Sequence, residues 1–117
     1  MIKTFKDIKV WEKAHALVLI IYKITAGFPE EERYCLSNQL RRASISIPSN
    51  IVEGFRRNTK KDRSHFYIIA NGSLEEAKYQ VFLAKDLGYI DNSRYNELTS
   101  QMDEVGKMLS AWIKSQA

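Results

Sequence analysis

With only one cysteine, Cys35, in 117 residues, the chain cannot form an internal disulfide, and the scarcity fits a reducing compartment. There are only two prolines, Pro29 and Pro48, and the glycines are scattered; Gly54 stands alone, so no glycine-rich loop can cradle phosphate. No apolar run approaches the roughly 20 residues needed to span a membrane; Lys23 closes the stretch from Ala14 to Tyr22. The first ten residues carry Lys3, Lys6, Asp7 and Lys9 in place of an apolar signal segment, which predicts a cytoplasmic protein without membrane attachment. Repeats and low-complexity tracts are absent as well. The remaining reading is one domain over residues 1–117, long enough to bury a core without disulfides or metal.

What is present is helical periodicity, divided by turn signals into four segments. The first helix is expected from Asp7 to Ala26, capped by Thr4 or Asp7 and stopped by Gly27 and Pro29. Ile8, Trp11, Val18 and Tyr22 share one face, with Ala14, Leu17, Ile21 and Ile24 beside it. Leu19 and Ile20 widen this apolar surface beyond the usual stripe of about 100°, which predicts self-association. The second helix is expected over Glu31–Arg57, with Glu30, Glu31 and Glu32 favouring its start and an inner stripe of Leu36, Leu40, Ala43, Ile47, Ile51 and Gly54. Pro48 removes a backbone donor and crowds the carbonyl of Ser44, so a kink or short break is expected there, with Ser44, Ser46 and Asn50 bonding the freed groups.

The third helix is expected over Lys60–Leu87, capped by Thr59 and ended by Gly88. Its core positions, Tyr67, Ala70, Leu74, Ala77, Val81 and Ala84, have alanine at every second place, and Gly72 suggests a closely approaching neighbour. The fourth, over Ser93–Ser115 and capped by Asp91 or Asn92, repeats Tyr95, Leu98, Met102, Val105, Leu109 and Trp112 at bundle spacing. Short connections make sequential helices antiparallel neighbours, so the fold class is all-α: an up-down-up-down four-helix bundle with its second helix kinked near Pro48.

The net charge is only +4, but its placement is uneven. In such a bundle the start of the first helix, the second connection and the end of the fourth helix share one pole. That pole collects Lys3, Lys6, Lys9 and Lys13 against Asp7 and Glu12, then Arg56, Arg57, Lys60, Lys61 and Arg63 against Glu53 and Asp62, and finally Lys114. The opposite pole is acidic through Glu30, Glu31, Glu32, Asp86, Asp91 and Glu97, against Arg33, Lys85 and Arg94. Lys3, Lys6, Lys9, Arg56, Arg57, Lys60, Lys61 and Arg63 are therefore the candidate nucleic-acid-binding residues, with Phe5, Phe55, Phe66 and Tyr67 as candidate base-stacking partners. The plain alternative is a solvated face in which cations near helix C-termini complement the dipole.

Catalytic constellations fail by residue type. Glu12-x-x-His15 has di-metal bundle spacing, and Asp62-x-x-His65 resembles it, with Glu53 near the same end. The fourth helix offers Met108, Leu109 and Trp112 at that level and no carboxylate. His15 reads as a core or interface residue. Cys35, beside Leu36, reads as a buried structural thiol, and Ser44, Ser46 and Ser49 lack a nucleophile-elbow context. The expectation is a non-enzyme without cofactor or metal.

Several motifs are similar to a bacterial family. Phe5-x-x-Ile8-x-Val10-Trp11-x-x-Ala14 opens the chain, followed by Glu32-x-Tyr34-x-Leu36-x-x-Gln39-x-Arg41-Arg42-Ala43. The most specific block is Ser46-Ile47-Pro48-x-Asn50-Ile51-x-Glu53-Gly54; Ala70-x-Gly72-Ser73-x-Glu75 and Gly88-Tyr89-Ile90 complete the pattern. The chain thus resembles, over nearly its whole length, the four-helix bundle proteins encoded in intervening sequences of 23S ribosomal RNA. That resemblance implies a homopentamer, and it extends to accessory proteins of diversity-generating retroelements, which work with a reverse transcriptase and RNA. It implies an RNA-associated protein or, as the alternative, an interaction scaffold for an acidic partner such as a nucleic-acid enzyme. In the central block it implies a structural role: Asn50 bonding backbone opened by Pro48, and Glu53 pairing with Arg41, Arg42 or a neighbouring subunit.

Overall fold

A computed structural model describes residues 1–116. Four helices account for most of the chain: α1 (Lys9–Thr25), α2 (Leu36–Phe55), α3 (Lys60–Asp86) and α4 (Asn92–Ser115). Short 3-10 turns precede α1 at Phe5–Asp7 and α2 at Glu30–Glu32. The helices approach one another around a closed circuit, α1 with α2, α2 with α3, α3 with α4 and α4 with α1, while among the described residues no close backbone approach crosses the diagonal. This is four-helix bundle packing, drawn out to 43 × 26 × 20 Å. Among the described residues no helix is long and apolar enough to cross a membrane.

The interior is the periodic stripe of each helix. Leu17 and Ile21, Leu40, Ile47 and Ile51, Leu74 and Val81, and Met102 and Leu109 are all buried. Each such side chain contributes about 1.5–3 kcal/mol. Ala70, Ala77 and Ala84 are also fully buried, and α2 makes its most extensive contact with α3. Small core residues on α3 thus accompany close packing, as their spacing predicts.

Helix ends follow local chemistry. Thr59 Oγ1 accepts from the Asp62 N–H at 3.2 Å, and Asp91 Oδ1 accepts from the Arg94 N–H at 2.7 Å. At the end of α3, Gly88 takes φ +81°. There the Tyr89 N–H donates to Ala84 O and the Gly88 N–H to Lys85 O, a paired closure that favours glycine.

Four local details differ from expectation. The second helix begins at Leu36, not Glu31, because Cys35 leaves helical geometry (φ −120°, ψ −105°) and the three glutamates form their own turn. Of the kink or short break expected at Pro48, the break does not occur: α2 runs from Leu36 to Phe55 through the proline. Asn50 does not reach the Ser44 carbonyl; its Nδ2 donates to Ser46 O at 2.7 Å and to Ser46 Oγ at 2.9 Å. Ser73 Oγ of α3 donates to the same Ser46 Oγ at 2.8 Å, tying the two helices together. Gly72 is exposed with nothing near its missing side chain, so close packing does not explain it.

Two tethers hold the far end. Tyr89 O–H donates to Glu32 Oε2 at 2.7 Å, joining the α1–α2 connection to the α3–α4 connection. That hydrogen bond to a carboxylate, reinforced by burial, raises the Tyr89 pKa. Arg41 of α2 closes α1: its Nε donates to Thr25 Oγ1 at 2.7 Å, another guanidinium nitrogen donates to Tyr22 O at 3.3 Å, and its guanidinium lies 4.5 Å from the Tyr22 ring centroid.

Candidate nucleic-acid interface

The N-terminal residues are folded back by a reciprocal cap. Thr4 Oγ1 accepts from the Lys6 N–H at 3.2 Å, while Asp7 Oδ2 accepts from the N–H groups of Lys3 at 2.9 Å and Thr4 at 3.1 Å. Those backbone donors hold the Asp7 carboxyl below the usual aspartate range. The acid's role is thus local capping, and it leaves Lys3 and Lys6 exposed on an ordered turn. Phe5 of that turn packs edge-on against Trp11 at 4.8 Å between ring centroids.

The α2–α3 connection is likewise ordered by its own arginines. Arg57 pairs with Glu53 at 3.1 Å, one helical turn back, and its guanidinium lies 4.5 Å from the Phe66 ring centroid. Arg63 donates to the Arg57 carbonyl at 3.1 Å across the turn. Arg56, Lys60 and Lys61 remain exposed. None of Lys3, Lys6, Lys9, Arg56, Lys60, Lys61 and Arg63 takes part in an ion pair among the described residues.

These segments meet at one end of the bundle. The N-terminal turn contacts α2, Gly54 near the end of α2 lies on the Tyr67 ring near the start of α3, and that ring stands 6.1 Å from Trp112 near the end of α4. Ile2, Ile8 and Val10 share a groove with Met108 and Trp112. Lys9 is the first residue of α1, and Lys60 and Lys61 are the first two of α3. At a helix N-terminus the macrodipole disfavours positive charge. These three lysines therefore work against their own helices, unlike Arg56 at the C-terminus of α2. Dipole complementarity explains one part of the basic cluster and fails for another.

Four expected roles at this end and nearby are revised. Tyr67 is fully buried and cannot stack on a base, while Phe66 is covered by Arg57. Burial pushes the Tyr67 hydroxyl up in pKa, with Trp112 and the Arg63 charge pulling the other way. Glu53 pairs with Arg57, just past the end of α2, and not with Arg41 or Arg42, which lie about 17 Å away along the same helix. His15 is exposed, which overturns its core reading and leaves the interface one, and it stacks on Trp11 at 5.2 Å with the rings 3° from parallel. Cys35 is exposed, not buried, since it precedes α2 and escapes the inner stripe. Among the described residues no three His, Cys, Asp or Glu side chains group closely enough to hold a metal. Of the central block, Ile47, Pro48 and Gly54 are buried, and Ser46 and Asn50 form the α2–α3 polar link described above.

Sequence reasoning missed an apolar surface on α3. Ile68 is 63% exposed and Tyr79 61%, matching or exceeding Leu19 of α1 at 58%. Ile68 and Tyr79 stand three turns apart on the side away from the core, but Gly72 and Glu75 occupy the positions between them, so no continuous apolar stripe announces this surface in the sequence.

Comparison with known proteins follows from this geometry. A family profile described as 23S rRNA-intervening sequence protein matches residues 6–111. The fold is similar to a crystal structure of a protein with unknown function from the S23 ribosomal protein family of Bacteroides thetaiotaomicron. That comparison has a TM-score of 0.85 and 25% identity, covering 93% of this chain and 98% of the other. Among curated proteins none matches.

Proposed function

The chain belongs to the family of 23S rRNA-intervening sequence proteins, and from that premise we propose that it is a non-catalytic, homo-oligomeric, cytoplasmic protein that associates with RNA through its basic end. The observation that carries this reading is the set Lys9, Lys60 and Lys61: unpaired, exposed, and placed where the helix dipoles oppose them. A phosphate there would relieve the repulsion between each lysine and its own helix terminus. Lys3, Lys6 and Arg56 extend the same field. Binding of this kind is strongly salt-dependent and largely indifferent to sequence. The test is titration of a structured RNA against the protein across a salt series; no binding at low salt removes the proposal.

Self-association is supported by the exposed apolar side chains of α1 and α3, led by Ile68, Tyr79 and Leu19. The family resemblance points to five subunits. Light scattering tests the number directly, and a monomer at micromolar concentration would overturn this part.

A second reading is favoured by the burial of Tyr67 and the covering of Phe66, which remove two of the four expected stacking partners. A cationic end with fewer stacking partners also suits an acidic protein surface, as in an accessory subunit for a reverse transcriptase or another nucleic-acid enzyme. A partner retained after nuclease treatment but lost on reversing Lys60 and Lys61 would favour this scaffold.

A further inference from the structure

Two exposed apolar faces lie on different sides of the bundle. One is the outer side of α3, with Ile68, Ile69 and Tyr79; the other joins Leu19 and Tyr22 of α1 to Ile45 of α2. Helices α1 and α3 make no close backbone approach and stand at opposite corners. Each face carries its own charge. Glu75 and Glu76 are exposed among the α3 residues, and Glu76 takes part in no ion pair among the described residues. On the other face the cations are Arg41 and Arg42, which likewise have no carboxylate partner there. The two faces also agree in height. Gly54 touches Tyr67 and Ser46 bonds Ser73, so one turn further on Arg42 of α2 stands level with Glu76 of α3. Arg41 reaches the Tyr22 carbonyl, which brings Tyr22 to the same level. Leu19, one turn nearer the basic end, then lies between the heights of Ile68 and Tyr79.

We propose that copies of this chain associate side by side through these unlike faces, the α1–α2 face of one seated on the outer side of α3 of the next, with Leu19 between Ile68 and Tyr79 and Arg42 paired with Glu76. The inference rests on the self-association reading and deepens it by naming both surfaces. Apolar side chains rimmed by charge are the usual mark of a contact surface, and here the charges are opposite in sign. A two-fold contact is disfavoured on the same ground: α3 against α3 sets Glu75 and Glu76 against their own copies, and the other face against itself opposes Arg42 to Arg42. Unlike faces make a heterologous contact, which closes into a ring or runs on as a filament. Because residues of equal height meet, the basic ends of successive copies point the same way and form one cationic rim. An RNA that spans several copies then gains avidity without a new kind of contact.

The experiment is light scattering on the native chain, on Leu19→Glu, on Tyr79→Arg and on an equimolar mixture of the two variants. Both positions are exposed, so neither substitution enters the core. The native chain should assemble, and each variant alone should be monomeric. The mixture should form a one-to-one pair, because each variant keeps the face that the other has lost. Leu19→Glu assembling as the native chain does, or a mixture that stays monomeric, would overturn the unlike-face contact and leave self-association standing. A native monomer would overturn both. Should either variant fail to fold, Arg42→Glu and Glu76→Arg take their place. Each alone should raise the concentration for half-assembly roughly tenfold, and both in one chain should restore it; a double variant no better than the singles would overturn the contact.

Discussion

Gly54 of α2 lies against the face of the Tyr67 ring of α3, so close that a Cβ at position 54 would stand 2.8 Å from Cδ1 and 2.9 Å from Cζ. The ring is fully buried and packs against Trp112 on its way to α4. The absence of one methyl group therefore sets the spacing of three helices at the basic end.

Gly54→Ala should destabilise the protein by about 1–3 kcal/mol through overpacking, since a rigid buried ring cannot swing aside. Gly72→Ala, on the open side of α3, should act in the opposite direction and stabilise by about 1 kcal/mol. Thermal or urea melts of the two variants check the pair, and equal shifts of the same sign would contradict the packing account.

Arg41→Lys should cost roughly 1–2 kcal/mol, despite keeping the charge. Lysine cannot satisfy Thr25 Oγ1 and Tyr22 O together while lying flat on the Tyr22 ring. An unchanged melting midpoint would show that this closure of α1 contributes little.

The Asp7 cap carries a pH dependence of definite sign. Its folded pKa lies below the ordinary aspartate value of 3.8, so its stabilising contribution is present above that value and is lost as pH falls through the lower folded one. Amide NMR of Lys3 and Thr4 should report the loss in strongly acidic solution. Asp7→Asn should remove that titration, and a native Asp7 that titrates at the ordinary value would refute it.

The double substitution Lys60→Glu, Lys61→Glu should hold or raise stability, because negative charge suits the first turn of α3. RNA affinity should fall, with the salt-dependence slope shrinking by about 1 for each phosphate contact removed. Weakened binding together with a collapsed melting curve would mean that the lysines serve the fold instead.

Much of the fold is legible in the residues. Thr59, Asp91 and Gly88 mark helix ends by short-range hydrogen bonding and backbone freedom, and the structure places them there. The alternating core positions from Tyr67 to Ala84 are buried as their spacing predicts. The candidate site was legible as a list of charges and, through the up-down topology, as one pole on which their segments meet; contacts among the N-terminal turn, α2, α3 and α4 bring those segments together. Packing decided between the two readings of Tyr67, which sits in the core stripe and is lost to stacking. The groove beside Trp112 has no linear signature, since its walls come from opposite ends of the chain.

The sequence by itself determined how many helices form, where α3 and α4 start and which stripe of each turns inward, because those properties depend on atoms a few residues apart. Tertiary structure alone decided that Gly54 rather than Gly72 is the close contact, that Glu53 pairs with Arg57 just past α2, and that Ile68 and Tyr79 are exposed on this chain. The reason is geometric: the rotation and axial offset of one helix against another are set by how all four surfaces interlock, and no single helix encodes them.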